Sequence, residues 1–150
     1  MTNREEVMYR LKRMYIDYEL FMQDAGQELS SVGMVVNYGG TGGGKTNRIA
    51  DHVASAAIRA ANIDPKKAER YKWVDCVWKV FFHFLTKPAQ RDKVIAHVLY
   101  HKALLGWTYA KIAENGLPNG ASVSRQRIQQ YYDIAIDVIV DEAKSRGLLR

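Results

Sequence analysis

Apolar residues recur at helical spacing along most of the chain. Over residues 3–29 they alternate in steps of four and three, which predicts an N-terminal helix with an apolar stripe at heptad spacing. The stripe is too short for a free coiled coil, so we expect it to pack on another helix, either of the same chain or of a second copy. The stripe consists of Val7, Leu11, Met14, Tyr18, Phe21 and Ala25.

The same spacing predicts two further helices in the middle of the chain. Thr46 or Asn47 can cap the first, a helix of about 15 residues, by accepting a backbone N–H bond. The second is expected over residues 65–86, with Pro65 in its first turn and Pro88 beyond its end. Its broad apolar face should lie in the core and consists of Tyr71, Val74, Trp78, Phe81, Phe82 and Leu85.

The C-terminal third has the profile of a helix-turn-helix preceded by one more helix. The pattern predicts a helix over 89–104 and a short helix over 109–114 that Thr108 can cap, followed by a turn cluster at 115–120. A long final helix comes next, which Ser122 or Ser124 can cap, with Gly147 beyond its end. The turn is several residues longer than the usual ~3–4 of this motif. The loop is therefore expected to form a wing or a distorted turn.

No strand is predicted between residues 47 and 150, so we expect an all-α fold. Its expected parts are an N-terminal helix (residues 1–32) for packing or dimerisation, a Gly-rich linker (33–46) and a helical core (47–150). The core would carry the helix-turn-helix at about residues 107–132.

The glycine-rich stretch Gly39–Thr46 permits two incompatible interpretations. It matches G-x-x-x-x-G-K-[ST], the phosphate-binding P-loop, and Val138–Glu142 is similar to a Walker B strand. A P-loop requires alternating strands and helices around a parallel sheet, which the pattern does not predict. The stretch is therefore interpreted as a linker that could still bind an anion, and a P-loop NTPase is the less favoured alternative. No other arrangement indicates catalysis, so we expect neither enzyme activity nor a cofactor.

The net charge of +6 suits a nucleic-acid-binding protein, but many proteins that bind no nucleic acid are equally basic. Cys76 is the sole cysteine, which excludes an internal disulfide and favours a reducing, cytoplasmic location. The polar N-terminus and the lack of an apolar run of about 18 residues predict neither a signal peptide nor a membrane span. His97 and His101 have a spacing that can bind zinc, but no third ligand stands nearby, so a histidine pair without metal is favoured.

Candidate DNA contacts lie at the start of the final helix. With Ile128 pointing inward, about 100° per residue turns the glutamines and Asp133 outward, flanked by arginines. Arg and Gln make paired hydrogen bonds to guanine and adenine in the major groove, while serines and a helix N-terminus can hold a phosphate. The alternative is a helical hairpin with a polar outer face. The candidate DNA-binding residues are Lys111, Ser122, Ser124, Arg125, Gln126, Arg127, Gln129 and Gln130.

The segment Gly106–Glu114, followed by Val123–Ile128, resembles region 4 of bacterial sigma factors. The order of the whole chain is similar to phage-encoded transcription activators of the ArpU/RinA type from Gram-positive hosts. Those proteins share an N-terminal helix, a Gly-rich segment leading into Lys-Thr and an alanine-rich helix, and a sigma-like helix-turn-helix. Here Gly39–Thr46, Ala54–Ala61 and residues 107–132 carry the likeness.

This resemblance implies a sequence-specific regulator that activates phage late genes. Its partners would be double-stranded promoter DNA and, beyond that, host RNA polymerase. A homo-oligomer through the N-terminal helix is a further expectation. The alternative function is that of a phage small terminase subunit, a DNA-packaging component that also pairs a helix-turn-helix with oligomerising helices.

Overall fold

The computed structural model describes residues 1–31, 43–61, 64–118, 120 and 122–149. No strand occurs in these ranges, so the predicted all-α fold is confirmed for the described chain, and none of its helices is long and apolar enough to cross a membrane. A π-helical turn, Tyr100–Leu104, continues the fifth helix. The α-helices are α1 (Asn3–Leu11), α2 (Met14–Ser31), α3 (Gly43–Ala60), α4 (Pro65–Leu85), α5 (Gln90–Leu99), α6 (Tyr109–Asn115) and α7 (Arg125–Ser145).

The predicted single N-terminal helix is wrong, because a turn at Lys12 and Arg13 divides it into α1 and α2. A reciprocal capping box starts α1: the Thr2 hydroxyl accepts from the Glu5 N–H at 3.2 Å, and the Glu5 carboxylate accepts from the Thr2 N–H at 3.1 Å. Neither glycine nor proline marks the break. The predicted stripe is nevertheless buried within the chain at five of its six positions, Val7, Leu11, Met14, Phe21 and Ala25.

The third helix begins earlier than the predicted caps, Thr46 or Asn47, would place it. Its first residue is Gly43, so Thr46 and Asn47 lie inside α3 and do not cap it. The Gly-rich linker, predicted over 33–46, falls mostly outside the described residues, and that division of the chain stays a prediction. The later helices begin and end within a residue or two of the predicted bounds.

The described residues form two compact units, Ile16–Asp75 and a second unit that joins Met1–Tyr15 to Cys76–Arg150. The first contains a partly buried polar cluster. The Asp24 carboxylate accepts a hydrogen bond from the Tyr71 hydroxyl and pairs with the Lys67 ammonium at 2.6 Å. Burial alone would raise the pKa of Asp24, but the bonds from Lys67 and Tyr71 lower it, so this carboxylate stays charged and anchors α2 to α4 within this unit.

The second unit, hereafter the α7 unit, is built around α7. Helices α1, α5 and α6 all pack against it. The apolar face of α7 is fully buried at Ile128, Ala135 and Ile139. The end of α4 departs from the prediction, because Leu85 is its last residue and 41% exposed.

Gly106 holds the bend between the π-helical turn and α6 in a conformation that favours glycine. Its φ is +73°, and a Cβ built there would lie 2.8 Å from Cγ of Tyr15. A side chain at this position would therefore meet both backbone strain and a steric clash. Gly147, beyond α7, has a similar φ of +75° with nothing within 4 Å of an added Cβ.

We expect Gly106→Ala to lower the free energy of unfolding by about 2–4 kcal/mol, because strain and overlap add. The matched variant Gly147→Ala should lose only about 1 kcal/mol, since it carries the strain alone. Urea unfolding monitored by circular dichroism measures both. Equal losses would show that Tyr15 moves aside without cost.

Candidate nucleic-acid interface

Local hydrogen bonds set the start and the end of the two C-terminal helices. The Thr108 hydroxyl accepts from the Lys111 N–H at 3.1 Å and caps α6, as predicted. Gly116, with φ of +75°, follows α6, and its N–H donates to the Ile112 carbonyl at 3.1 Å. The Ser124 hydroxyl accepts from the Arg127 N–H at 3.2 Å and caps α7, which selects Ser124 over Ser122.

Buried apolar contacts hold α6 against α7. Ile112 and Ile128 are both fully buried, and Leu117, in the loop between the helices, is 8% exposed. The rings of Tyr109 and Tyr132 meet edge to face with centroids 6.0 Å apart. These contacts fix which side of α7 faces inward.

The opposite side of α7 carries the predicted contacts. Its first turn contains no acidic residue. A positive helix N-terminus and two arginines therefore coincide there. All eight predicted DNA-binding residues are exposed: Lys111, Ser122, Ser124, Arg125, Gln126, Arg127, Gln129 and Gln130.

Arg127 and Gln130 are already ordered relative to each other. Nη1 of Arg127 donates to Oε1 of Gln130 at 3.0 Å, and the guanidinium lies 5.0 Å from the centroid of the Tyr131 ring. A planar group resting on an aromatic ring keeps its remaining N–H donors in a fixed direction. The pair thus presents a preformed set of donors and acceptors on the outer face.

Lys111 is held at the flank of this face. Its ammonium lies 4.3 Å from the centroid of the half-buried Trp107 ring, a cation–π contact that leaves the charge at the surface. A charge held in one place, without base-pairing geometry, suits a phosphate. The Ser124 hydroxyl oxygen accepts the capping bond from the Arg127 N–H, and its O–H, like that of Ser122, can still donate to a phosphate.

An ion-pair cluster next to this face could not be predicted from local sequence. Arg4 of α1 pairs with Asp133 at 3.2 Å and also with Asp137, one turn further along α7. Asp133, predicted to point outward, is instead half-buried and bonded to α1. The three side chains are 40–69% exposed, so the pairs add at most about 1 kcal/mol to stability. Their main effect is to offset in part the two negative charges beside the candidate interface, since one guanidinium serves both carboxylates.

The histidine pair is stacked and half-buried. The rings of His97 and His101 have centroids 4.1 Å apart, and Nδ1 of His101 lies 2.8 Å from the His97 carbonyl oxygen. Burial and the neighbouring His101 lower the pKa of His97, which favours the neutral ring. In the described part of the chain no group of three metal-ligating side chains occurs.

The segments that suggested a P-loop adopt helical structure where they are described. Gly43–Thr46 form the first turn of α3, and Val138–Glu142 lie within α7 rather than in a strand. Residues 39–42 lie outside the described residues. The sheet that a P-loop requires is thus missing from the described ranges.

Comparisons of the chain with protein-family models, curated proteins and solved structures found no match.

We expect Ser124→Ala to lower the free energy of unfolding of the α7 unit by about 1 kcal/mol, because the Arg127 N–H loses its acceptor. Ser122→Ala, two positions before the cap, should change it by less than about 0.5 kcal/mol. Urea titration of both variants measures the difference. A loss shared equally by the two would contradict the assignment of Ser124 as the cap.

Proposed function

We propose that the chain is a sequence-specific DNA-binding transcription regulator that acts in the bacterial cytoplasm. In this proposal α6 and α7 form a helix-turn-helix, and the first two turns of α7 enter the major groove. The wider role follows the resemblance described above: activation of phage late genes at promoter DNA, with host RNA polymerase as a further partner.

The observation that carries the proposal is the exposed Arg–Gln face at the start of α7. Base contacts need side chains that are free of the core, rich in donors and acceptors, and held on a rigid element. Arg125, Gln126, Arg127, Gln129 and Gln130 meet these conditions, because Ile128 anchors the same turns from the opposite side.

The charge distribution supports the same surface. Lys111, Arg125 and Arg127 are exposed, and within the described residues none of them pairs with a carboxylate. Further along α7 the acidic side chains are partly offset, since Arg4 pairs with two of them and Arg146 pairs with Glu142 at 2.8 Å. A polyanion would thus meet positive charge at the helix start and negative charge that is partly compensated further along.

The connection between α6 and α7 departs from the usual motif. Nine residues, 116–124, separate the two helices, where about three or four are typical. In the proposal the extra residues form a wing beside the helix start, with Ser122 positioned to donate to a phosphate. A helical hairpin used for packing remains the alternative, and DNA binding itself distinguishes the two.

Base contacts are tested with Arg127→Ala, Gln130→Ala and Arg127→Lys. On a DNA fragment selected from the source genome, each alanine variant should lose about 1–3 kcal/mol of binding free energy per lost base contact. Gln130→Ala should bind unrelated DNA as before, and Arg127→Ala should bind it more weakly only by the loss of one charge. Arg127→Lys keeps the charge but not the paired hydrogen bonds, so it should also lose sequence preference. Fluorescence anisotropy with specific and unrelated duplexes measures both quantities.

If all three variants bind the selected fragment as tightly as the parent, α7 does not contact bases and the proposed function is wrong. The identity of the selected fragments separates the alternative function. Promoter fragments agree with a regulator. A packaging site, together with a ring-sized assembly in light scattering, would contradict it in favour of a small terminase subunit.

A phosphate contact by Lys111 has a different signature. Lys111→Ala should weaken binding to the specific fragment and to unrelated DNA to the same extent. It should also reduce the slope of log affinity against log salt concentration by about 1. Lys144→Ala, at the far end of α7, is the matched control and should leave the slope unchanged. A loss confined to the specific fragment would assign Lys111 to base contact instead.

A further inference from the structure

A cleft of about 320 Å³ opens in the α7 unit, where α1 meets the two C-terminal helices. Its volume is near the lower end of the range for small-molecule sites, about 300–1,000 Å³. That space suits a compact body such as one or two fused rings. Five elements (α1, α2, the π-helical turn, α6 and α7) and the Gly106 bend contribute to its walls, so the cleft is formed by the tertiary fold rather than by one helix.

The walls are mainly apolar. Leu11 of α1 and Tyr132 and Ile136 of α7 are buried and form the inner part, and Met8 is 45% exposed at the opening. Tyr15, whose ring packs over Gly106, closes one side. An apolar or aromatic group would therefore be removed from water on several sides.

The charged groups of the cleft are mostly cationic. Lys12 and Lys102 both line it, and within the described residues neither forms an ion pair. The Lys102 ammonium lies 4.6 Å from the centroid of the Tyr109 ring. The one carboxylate in the lining, Asp133, is already paired with Arg4 at 3.2 Å. An anion placed here would meet two positive charges and one carboxylate whose charge Arg4 partly offsets.

We propose that this cleft binds a small organic anion, a carboxylate on an aromatic or branched apolar body. The body lies against Leu11, Tyr132 and Ile136, and Lys12 and Lys102 hold the carboxylate. This binding does not depend on DNA. The polar rim and the buried base match the usual anatomy of a small-molecule site, in which apolar walls supply affinity and a few polar groups fix orientation.

The position of the cleft gives its ligand a route to the candidate DNA interface, a consequence that rests on the proposed function. Gln129 lies both in the cleft and on the outer face of α7, and Tyr109 is the first residue of α6. A ligand that contacts α1 and both helices alters the freedom of Gln129 and its neighbours. Ligand and DNA would then change each other's affinity by the same factor.

Binding is tested without DNA, by calorimetry with 2-naphthoate and with its neutral counterpart 2-naphthamide. The parent protein should bind the carboxylate with a dissociation constant below about 1 mM. Lys102→Gln and Lys12→Gln should each weaken it about tenfold, through loss of a charge-assisted hydrogen bond. Lys144→Gln lies outside the cleft and is the matched control. In the parent and in this control, 2-naphthamide should bind more weakly than 2-naphthoate, whereas the two cleft variants should not show this difference.

The site itself is located by ¹³C-methyl NMR of the methionines. Adding 2-naphthoate should shift the signal of Met8 and leave that of Met1, which is 87% exposed and outside the cleft lining, in place. Three results would each overturn the proposal. They are no binding of 2-naphthoate at concentrations up to 10-fold above the limit of about 1 mM, chemical-shift changes that miss Met8, and equal affinities for 2-naphthoate in the lysine variants and the control. The proposal would also be overturned if the molecular mass in solution rose with protein concentration while the Met8 signal did not respond to 2-naphthoate. That result would place a second copy of the chain in the cleft.

A parallel anisotropy titration with DNA keeps the two proposals apart. If 2-naphthoate binds in calorimetry but leaves the DNA affinity unchanged, the ligand site stands and its proposed effect on DNA binding is wrong. If calorimetry shows no binding while the protein keeps its sequence preference in DNA assays, the proposed ligand site is wrong and the proposed function stands.

Discussion

Burial of one face of α7 is the constraint on which the rest of the α7 unit depends. Ile128, Tyr132, Ala135 and Ile139 lie on this face, and helices α1, α5 and α6 cover it. Each large buried apolar side chain contributes about 1.5–3 kcal/mol, against about 1 kcal/mol for a cap and less for an exposed ion pair. Packing therefore fixes the rotation of α7, and the polar bonds adjust its ends. Because the inner face is fixed, the outward direction of the Arg–Gln face follows from helical geometry alone.

Periodicity predicted those parts of the fold that local residues determine. The apolar spacing predicted the α-helical class, and Thr108, Ser124 and Gly147 marked helix ends correctly because capping acts within a turn. Periodicity could not predict contacts between distant segments. The Arg4 pairs join residues 129 and 133 positions apart, and no local pattern encodes that separation. The break at Lys12 also could not be predicted, since the apolar stripe continues across it and neither glycine nor proline marks it.

The candidate site shows the same division between local and long-range information. The exposure of the five predicted residues within α7, Arg125, Gln126, Arg127, Gln129 and Gln130, follows from the position of Ile128 and about 100° per residue. The Arg127–Gln130 bond is also local, at a spacing of three residues. The cleft beside Gln129 could not be predicted, because Lys12, Lys102 and Asp133 come from three separate parts of the chain. Its chemistry depends on which distant side chains the fold brings together.

Helix α1 links these two surfaces. Arg4 pairs with Asp133 and Asp137 on one side of the helix, while Leu11 and Lys12 line the cleft at its other end. The ion pairs are too exposed to stabilise the unit much, but they determine the charge that a polyanion meets beyond the first two turns of α7. Loss of the α1 contact would expose two carboxylates beside the Arg–Gln face and open the apolar wall of the cleft together. If both sites bind as proposed, an element that screens negative charge and completes a pocket at the same time would couple them through a single packing contact.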